Sequence, residues 1–487
     1  MHLRLIAACA LFLAGPAAFG DDATSVDLDD CRISAGPGYP GIKARCGILL
    51  RPLDPSDPNS PHIDLQVAVV PALSLEPLPD AFVPIAGGPG QASSDFYSAY
   101  RGAFEEIRRT RDIVLLDQRG TGDSATLECD IDDDIVAADL DQDEILAMTR
   151  DCLDALPHDP RFFTTSVAVT DLEALREELG YSQFNLYGIS YGTRVAQHYL
   201  RRYPDATRSV ILDGVVPPQR ALGPDIALEA QRALDNIFAR CADDAACSER
   251  FPDLAADFDA LYARLGESAE EVTLPHPRTG LPESVTLGQA ELAGAIRLLS
   301  YHPSTIAMLP LMIHKAANGN FVPITAQFLM SMDSIGDSLA MGMHNAVVCT
   351  EDVPYLARNA INVDALASTY IGTLMVESLE TICSIWPAGI IDDGFRVPLA
   401  TNKPVLLLSG DADPITPPSY AEQAAVDLEN AAHLIGRNQG HGMAPRGCVP
   451  DIMADFVADA AIGSLKTDCL DRLHAMPFFL EFSGPAP

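Results

Sequence analysis

The residues best suited to chemistry lie at positions 188–192, Gly-Ile-Ser-Tyr-Gly, directly after an apolar run at 184–187. The pattern Gly-x-Ser-x-Gly is typical of a sharp turn between a strand and a helix. Its glycines let the two segments approach closely, and its serine hydroxyl projects from the turn. Ser190 is therefore a candidate nucleophile. Because a tight turn with a buried serine has the same pattern, Ser190 needs supporting residues elsewhere in the chain.

A serine hydroxyl attacks a carbonyl only if a base takes its proton and a third group orients that base. His441, within Gly-His-Gly at 440–442, is our candidate base, and His433 is the weaker alternative. Asp413 is our candidate orienting acid, preferred to Asp411 because it lies in the turn directly before a proline. The order serine, aspartate, histidine, each after a successive strand, is typical of one class of α/β enzyme.

The attack also creates a negatively charged oxygen, which backbone N–H groups can stabilise. Residues 87–90, Gly-Gly-Pro-Gly, follow a predicted strand and precede a predicted helix. We predict that the backbone N–H groups of Gly88 and Tyr191 form this oxyanion hole. The alternative, a phosphate-binding loop, lacks the Lys-Ser/Thr ending of that motif.

A mostly parallel, doubly wound sheet would bring these residues to one edge. Strand patterns occur at 63–70, 81–86, 112–116, 184–187, 209–212, 404–408 and 433–436. Helical patterns separate them, except at 221–400, where helical patterns alone occur, the last at 367–379. We therefore predict an N-terminal arm at 21–60, an α/β core at 61–220, a large helical cap at 221–400, and the rest of the core with a tail at 401–487.

Composition limits the partners and the compartment. The chain has 487 residues, 68 acidic and 32 basic, and a formal net charge of −36. This balance argues against nucleic acid and anionic membranes as partners. Residues 1–20 have the pattern of a secretory signal, with Arg4, an apolar run at 5–13 and small residues before a cleavage point. We expect a secreted or periplasmic protein with no membrane attachment after cleavage, whereas its oligomeric state is unknown.

Ten cysteines follow the predicted signal, and an even number in an exported chain suggests disulfides. Connectivity does not follow from sequence, but the cysteines fall into five local pairs, and pairing between neighbours is our hypothesis. The hypothetical pairs are Cys31–Cys46, Cys129–Cys152, Cys241–Cys247, Cys349–Cys383 and Cys448–Cys469. Their spacings do not match a zinc site, so no metal is predicted.

Four motifs together resemble the α/β hydrolases of serine peptidase family S33, the group of proline iminopeptidases and secreted tripeptidyl aminopeptidases. They are Gly-Gly-Pro-Gly at 87–90, Asp-Gln-Arg-Gly-Thr-Gly-Asp-Ser at 117–124, Gly-Ile-Ser-Tyr-Gly-Thr at 188–193, and Gly-Asp-Ala-Asp-Pro-Ile-Thr-Pro at 410–417 with Gly-His-Gly at 440–442. Residues 349–352, Cys-Thr-Glu-Asp, resemble the tripeptidyl branch. Ala86 departs from the pattern, because members often have histidine there.

The resemblance implies an α/β-hydrolase fold and cleavage of short peptides at a free N-terminus, by an acyl-enzyme mechanism that uses Ser190, Asp413 and His441 and no cofactor. It also implies that acids from the cap hold the substrate ammonium, and Glu351 and Asp352 are the nearest candidates. Their alternative role is that of ordinary solvated acids beside a disulfide. Two other functions stay open, a carboxylesterase or lipase on the same scaffold and a non-catalytic binding protein.

Overall fold

The computed structural model describes residues 26–36, 40–129, 141–356 and 361–485. The predicted signal at 1–20 lies outside these ranges. The strands are β1 Asp29–Ile33, β2 Ile42–Pro52, β3 His62–Val70, β4 Asp80–Ile85, β5 Ile113–Leu116, β6 Gln183–Ile189, β7 Thr207–Asp213, β8 Glu270–Pro275, β9 Pro282–Leu287, β10 Val405–Gly410 and β11 Ala431–Gly436.

Within the described ranges, nine of these strands form one mixed sheet in the order β1-β2-β3-β5-β4-β6-β7-β10-β11. The pairs from β5 through β11 are parallel, and the pairs β1–β2, β2–β3 and β3–β5 are antiparallel. The strands β4, β5 and β10 are buried at every position, as expected of parallel strands covered on both faces. The sheet is therefore mostly parallel, as predicted.

The α-helices cover both faces of the sheet and build the insertion, the segment between β7 and β10. They are α1 Ser93–Tyr100, α2 Glu105–Arg108, α3 Gln142–Ala155, α4 Thr165–Leu179, α5 Tyr191–Arg202, α6 Pro224–Asp243, α7 Ala245–Arg250, α8 Leu254–Glu267, α9 Gln289–Leu299, α10 Pro303–Ile306, α11 Leu309–Ala317, α12 Val322–Ser338, α13 Met341–Glu351, α14 Val363–Ala367, α15 Leu374–Cys383, α16 Pro418–Ala424 and α17 Val449–Asp459.

Alternate residues of each central strand enter different cores, because successive side chains of a strand point to opposite faces. Val83 packs into a core formed with α4 and α5, and its neighbour Phe82 packs into a second core formed with α1 and α17. Both cores bury large apolar and aromatic side chains. The result is a layered α/β/α arrangement that holds the carboxyl ends of the strands in fixed positions.

The N-terminal segment differs from the predicted extended arm. Residues 29–33 and 42–52 form strands β1 and β2, which extend the main sheet on its antiparallel side. The sequence pattern did not show this, because β1 and much of β2 are partly exposed and alternate only weakly. The segment is therefore part of the sheet rather than an appendage.

The insertion differs from the prediction in two places. It contains an antiparallel pair, β8 and β9, among helices that share a core of their own. The single helix predicted at 367–379 is two helices, because α14 ends at Ala367 and α15 begins at Leu374. Gly372 lies between them with φ +65°, a conformation that a continuous right-handed helix does not allow.

Disulfides join neighbouring elements throughout the described ranges. The five that form there have the pairing hypothesised from chain order. Cys31–Cys46 links β1 to β2, and Cys349–Cys383 links α13 to α15. In the same ranges, no helix has both the length and the apolar composition needed to cross a bilayer.

Candidate active site

Ser190 occupies the turn between β6 and α5 in a conformation that side chains rarely adopt, with φ +55° and ψ −123°. The glycines on either side are required for close packing. A Cβ added at Gly188 would lie 2.2 Å from the carbonyl oxygen of Gly192, and one added at Gly192 would lie 2.4 Å from the carbonyl oxygen of Ile85. The Gly-x-Ser-x-Gly pattern therefore has the steric cause expected of a nucleophile turn.

The end of β7 and the residue after it lie close to both Ser190 and His441. The backbone N–H of Ser190 donates to the carbonyl oxygen of Asp213 at 2.9 Å. The next residue, Gly214, has φ +64°, and a Cβ there would lie only 2.9 Å from Cε1 of His441. Ser190 and His441 are therefore both next to the carboxyl end of β7.

Asp413 and His441 form a buried pair. Nδ1 of His441 and Oδ2 of Asp413 are 2.8 Å apart. The other oxygen, Oδ1, accepts backbone N–H groups from Ile415 and Thr416, each at 2.9 Å, and the Thr416 hydroxyl donates to Oδ2 at 2.8 Å. These donors hold the carboxylate in one orientation toward the imidazole.

The pair shifts the titration of both members. Burial alone would raise the pKa of Asp413, but the charge of His441 and the hydrogen bonds to the carboxylate hold that pKa below its usual value. Burial alone would lower the pKa of His441, but the charge and hydrogen bond of Asp413 raise it. Asp413 is therefore ionised near neutral pH, and its charge favours the imidazolium form of His441.

The two alternatives from the sequence lie away from this pair. The Asp411 carboxylate accepts the backbone N–H of Asn438 at 2.6 Å. His433 lies on β11, where its Nε2 is 3.0 Å from the Ser409 hydroxyl. These contacts are structural ones at the end of the sheet, whereas Asp413 contacts His441 directly.

Asp213 is a site residue that the sequence analysis missed. Its buried carboxylate accepts the backbone N–H groups of Met443 and Ala444, at 2.8 to 2.9 Å, and the Tyr187 hydroxyl at 2.8 Å. It therefore ties the loop that carries His441 to the end of β7. The sequence signal that could have found Asp213 is the one that identified Asp413, an acid at the end of an apolar strand.

The glycine loop at 87–90 packs against the nucleophile turn. A Cβ at Gly87 would lie 3.2 Å from the Ser190 Cβ. Gly88 has φ +103°, and Tyr191 is the first residue of α5, where a backbone N–H has no acceptor within the helix. The loop thus borders Ser190, and the oxyanion role of Gly88 and Tyr191 stays a prediction.

The insertion supports this loop through helix α13. The Ala340 backbone N–H donates to the carbonyl oxygen of Gly90 at 3.1 Å. One turn later, Nδ1 of His344 lies 3.2 Å from the carbonyl oxygen of Pro89. A histidine from α13 therefore contacts the glycine loop directly.

Glu351 and Asp352, at the carboxyl end of α13, are both buried and both paired. Glu351 accepts the Thr165 backbone N–H at 2.8 Å and the Thr165 hydroxyl at 3.0 Å. Asp352 forms a two-point ion pair with Arg194, at 2.8 and 3.0 Å. Burial raises the pKa of Glu351 to about 7. The alternative of solvated acids is wrong, because the two residues are 0% and 1% exposed.

Glu351 is connected to the nucleophile turn. The Thr165 hydroxyl, which Glu351 contacts, lies 2.7 Å from the Tyr191 hydroxyl, and Gln118 donates to the same Tyr191 oxygen at 2.9 Å. Arg119, beside Gln118, is fully buried and pairs with Asp171 at 2.7 Å. Gln118 and Arg119 of the Asp-Gln-Arg-Gly motif thus help to hold the elements around the nucleophile turn in place.

Thr416 offers a first test of this geometry. Thr416→Val removes one donor from the buried Asp413 carboxylate at nearly constant volume, and we expect kcat to fall about tenfold, since a hydrogen bond to a charged group contributes about 1.5 to 3 kcal/mol. Thr416→Ser keeps the hydroxyl and is the matched control. Steady-state kinetics of both variants decide the matter, and equal rates for valine and serine would contradict the assignment.

Comparison with known proteins agrees with the fold. The family model described as alpha/beta hydrolase fold matches residues 80–271, and the model described as TAP-like protein matches residues 368–469. The chain is 24% identical over 497 residues to the tripeptidyl aminopeptidase of Streptomyces coelicolor, covering 93% of this chain and 87% of the relative. It is 26% identical over 447 residues to the serine protease Hip1 of Mycobacterium tuberculosis, covering 83% of this chain and 82% of the relative.

A third relative matches a shorter region. The protein YuaR of Escherichia coli is 29% identical over 184 residues, and the match spans 35% of this chain and 36% of the relative. The sheet topology, the two family models and the peptidase relatives agree with one another. Together, the family models and the peptidase-named relatives support an S33-type α/β hydrolase, a serine hydrolase of the peptidase class.

Proposed function

We propose that this protein is an aminopeptidase that removes one or a few residues from peptides with a free N-terminus. The observation that carries the proposal is the buried pair of Asp413 and His441, 2.8 Å apart, beside the strained turn of Ser190. This set suits acyl transfer, because it holds a base and its orienting acid next to a hydroxyl. The peptidase names of the long relatives support a peptide rather than another acyl donor.

In the proposed mechanism, Nδ1–H of His441 donates to Asp413, which leaves Nε2 free to take the Ser190 proton. The serine oxygen attacks the carbonyl carbon, and the N–H groups of Gly88 and Tyr191 stabilise the oxyanion. His441 then gives its proton to the leaving amine, and an acyl-enzyme forms on Ser190. Water, activated by the same histidine, releases the acyl group.

Glu351 is our preferred ligand for the substrate ammonium. Asp352 is already neutralised by Arg194, with a separation of 2.8 Å, so it has less charge to offer. The Glu351 carboxylate lies 3.6 Å from Arg194 and also contacts Thr165, whose hydroxyl lies beside that of Tyr191 in the nucleophile turn. A buried ammonium needs a carboxylate partner, and binding it would lower the raised pKa of Glu351. Asp352 then holds Arg194 in place.

The experiment that tests the proposal compares peptidyl anilides with free and acetylated N-termini, and simple esters. We expect acetylation to lower kcat/KM by about a hundredfold, since it removes a buried ion pair with the substrate. Glu351→Gln should raise KM for the free peptide and leave the acetylated one almost unaffected. Equal rates with and without the acetyl group contradict an aminopeptidase, and turnover of esters alone favours the carboxylesterase or lipase alternative.

The activity should depend on pH through His441. The reaction needs neutral imidazole, and Asp413 raises the pKa of His441 above 6.5, so the acid limb of kcat/KM should have its midpoint above pH 6.5. Activity should therefore fall as the pH drops through that raised value. A profile measured with an N-acetylated ester keeps the substrate ammonium and Glu351 out of the titration. A midpoint below 6.5 would contradict the predicted influence of Asp413.

We also propose that the protein acts outside the cytoplasm, with residues 221–400 as the cap over the active site. Five disulfides in the described ranges suit an oxidising compartment, and the signal pattern at 1–20 agrees with export. Peptides are the proposed partners, and the charge of −36 argues against nucleic acid.

A further inference from the structure

Arg297, on helix α9 of the insertion, lies next to the residue that contacts the proposed base. Its Nη2 donates to the Tyr301 hydroxyl at 3.3 Å, and its guanidinium carbon is 5.9 Å from the centre of the Tyr301 ring. The Tyr301 ring meets the His441 ring edge-on, with 5.3 Å between centres, and the Tyr301 carbonyl oxygen accepts the His441 backbone N–H at 2.7 Å. Arg297 is therefore on the His441 side of the site.

Arg297 differs from Arg119 and Arg194 in its hydrogen-bond and ion-pair partners. Within the ranges that the structure describes, the side chain forms no ion pair, and its buried Nε has no hydrogen-bond partner. By contrast, Arg119 and Arg194 each contact a buried carboxylate, at 2.7 and 2.8 Å. A buried donor without a partner costs free energy. An anion that accepts a hydrogen bond from Nε of Arg297 would therefore bind favourably.

The position of Arg297 indicates which part of a substrate could supply that anion. In the proposed mechanism, His441 gives its proton to the leaving amine, so the leaving group lies beside the imidazole. The α-carboxylate of a single leaving residue is two bonds from that nitrogen, and an acidic side chain at the same residue lies only slightly farther away. Arginine matches a carboxylate with two parallel N–H donors.

We propose that Arg297 binds a carboxylate on the leaving-group side of the scissile bond. This inference rests on the proposed function, and it adds a preference that neither the family models nor the names of the relatives contain. The carboxylate is either the C-terminus of a single leaving residue or the side chain of an acidic first leaving residue. Both have the same chemistry, and matched substrates distinguish them.

The test uses four peptides with a common N-terminal part, followed by alanine, alanine amide, glutamate amide or glutamine amide. The two alanine peptides form one pair, and the glutamate and glutamine peptides form the other. For the wild-type protein we expect the kcat/KM values to differ about tenfold or more within one pair, the factor of one charge-assisted hydrogen bond. A higher kcat/KM for the alanine peptide than for the alanine amide peptide indicates the C-terminal carboxylate. A higher kcat/KM for the glutamate amide peptide than for the glutamine amide peptide indicates the side chain. The preference should fall to about one in Arg297→Met and persist in part in Arg297→Lys.

The kcat/KM ratio within a pair does not change with a general loss of activity, because that loss affects both substrates equally. Labelling of Ser190 with a fluorophosphonate gives the folded, active fraction of each variant. Two wild-type ratios near one, or a ratio that Arg297→Met leaves intact, would overturn the proposal. If peptides are not cleaved but esters are, the aminopeptidase proposal fails on its own. Acyl esters of glycolate and glycolamide then measure the same preference. No hydrolysis of either class overturns both proposals.

Discussion

Ser190→Ala should lower kcat by about 10⁶-fold, the loss typical of removing the nucleophile from a serine triad. The variant keeps the turn, because alanine adds no atom beyond the serine Cβ at a backbone with φ +55°. We expect its melting temperature to stay close to that of the wild type. Hydrolysis of a peptidyl anilide, measured with enough protein to detect the residual rate, and labelling by a fluorophosphonate are the two readouts.

Ser182→Ala is the matched control for this experiment. Ser182 is an exposed serine eight positions earlier, and its hydroxyl donates to the carbonyl oxygen of Pro79. We expect this variant to have wild-type activity and to be labelled normally. Full activity of Ser190→Ala would reject the acyl-enzyme mechanism as a whole, whatever the substrate.

Asp413→Asn should lower kcat by about 10⁴-fold, because an amide does not supply the charge that orients and stabilises the imidazolium of His441. The amide also presents an N–H donor to a ring nitrogen that must itself donate, which favours the wrong tautomer of the histidine. Asp411→Asn is the control. Its amide oxygen can still accept the Asn438 N–H, so we expect little change in kcat.

The pH profile separates this electrostatic effect from simple misfolding. Asp413 raises the pKa of His441, so the residual activity of Asp413→Asn should have its acid limb at a lower pH than the wild type. Equal losses from the substitutions at Asp411 and Asp413, or an acid limb that does not move, would contradict the pairing of Asp413 with His441.

Local sequence patterns predicted the parts of the site whose geometry is local. The glycines at 188 and 192 are required by contacts of 2.2 and 2.4 Å that a Cβ would make, so the turn is visible in the sequence. The order of Ser190, Asp413 and His441 after successive strands followed from the alternation of strands and helices. The same reasoning predicted a mostly parallel sheet, because buried parallel strands are continuous apolar runs.

Sequence patterns gave wrong predictions where partial exposure or contacts between distant residues determine the structure. Strands β1 and β2 are partly exposed, so their alternation was too weak to distinguish them from an extended arm. The pair β8 and β9 interrupts a region whose composition suggested helices alone. Gly372 divides the predicted helix at 367–379, and only the backbone conformation shows that this glycine has a positive φ.

By itself, the sequence indicated the nucleophile turn, the candidate triad and the resemblance to the S33 group, because each rests on motifs of residues at short spacing. Only the tertiary structure decided how Asp352 meets Arg194, 158 positions away, how Asp213 holds the loop of His441 across 230 positions, and how His344 reaches Pro89 across 255. Such contacts depend on how the insertion packs on the sheet, and no local pattern records them. The Ser190 turn is therefore predictable from its own residues, whereas the charges and supports around it arise from the fold.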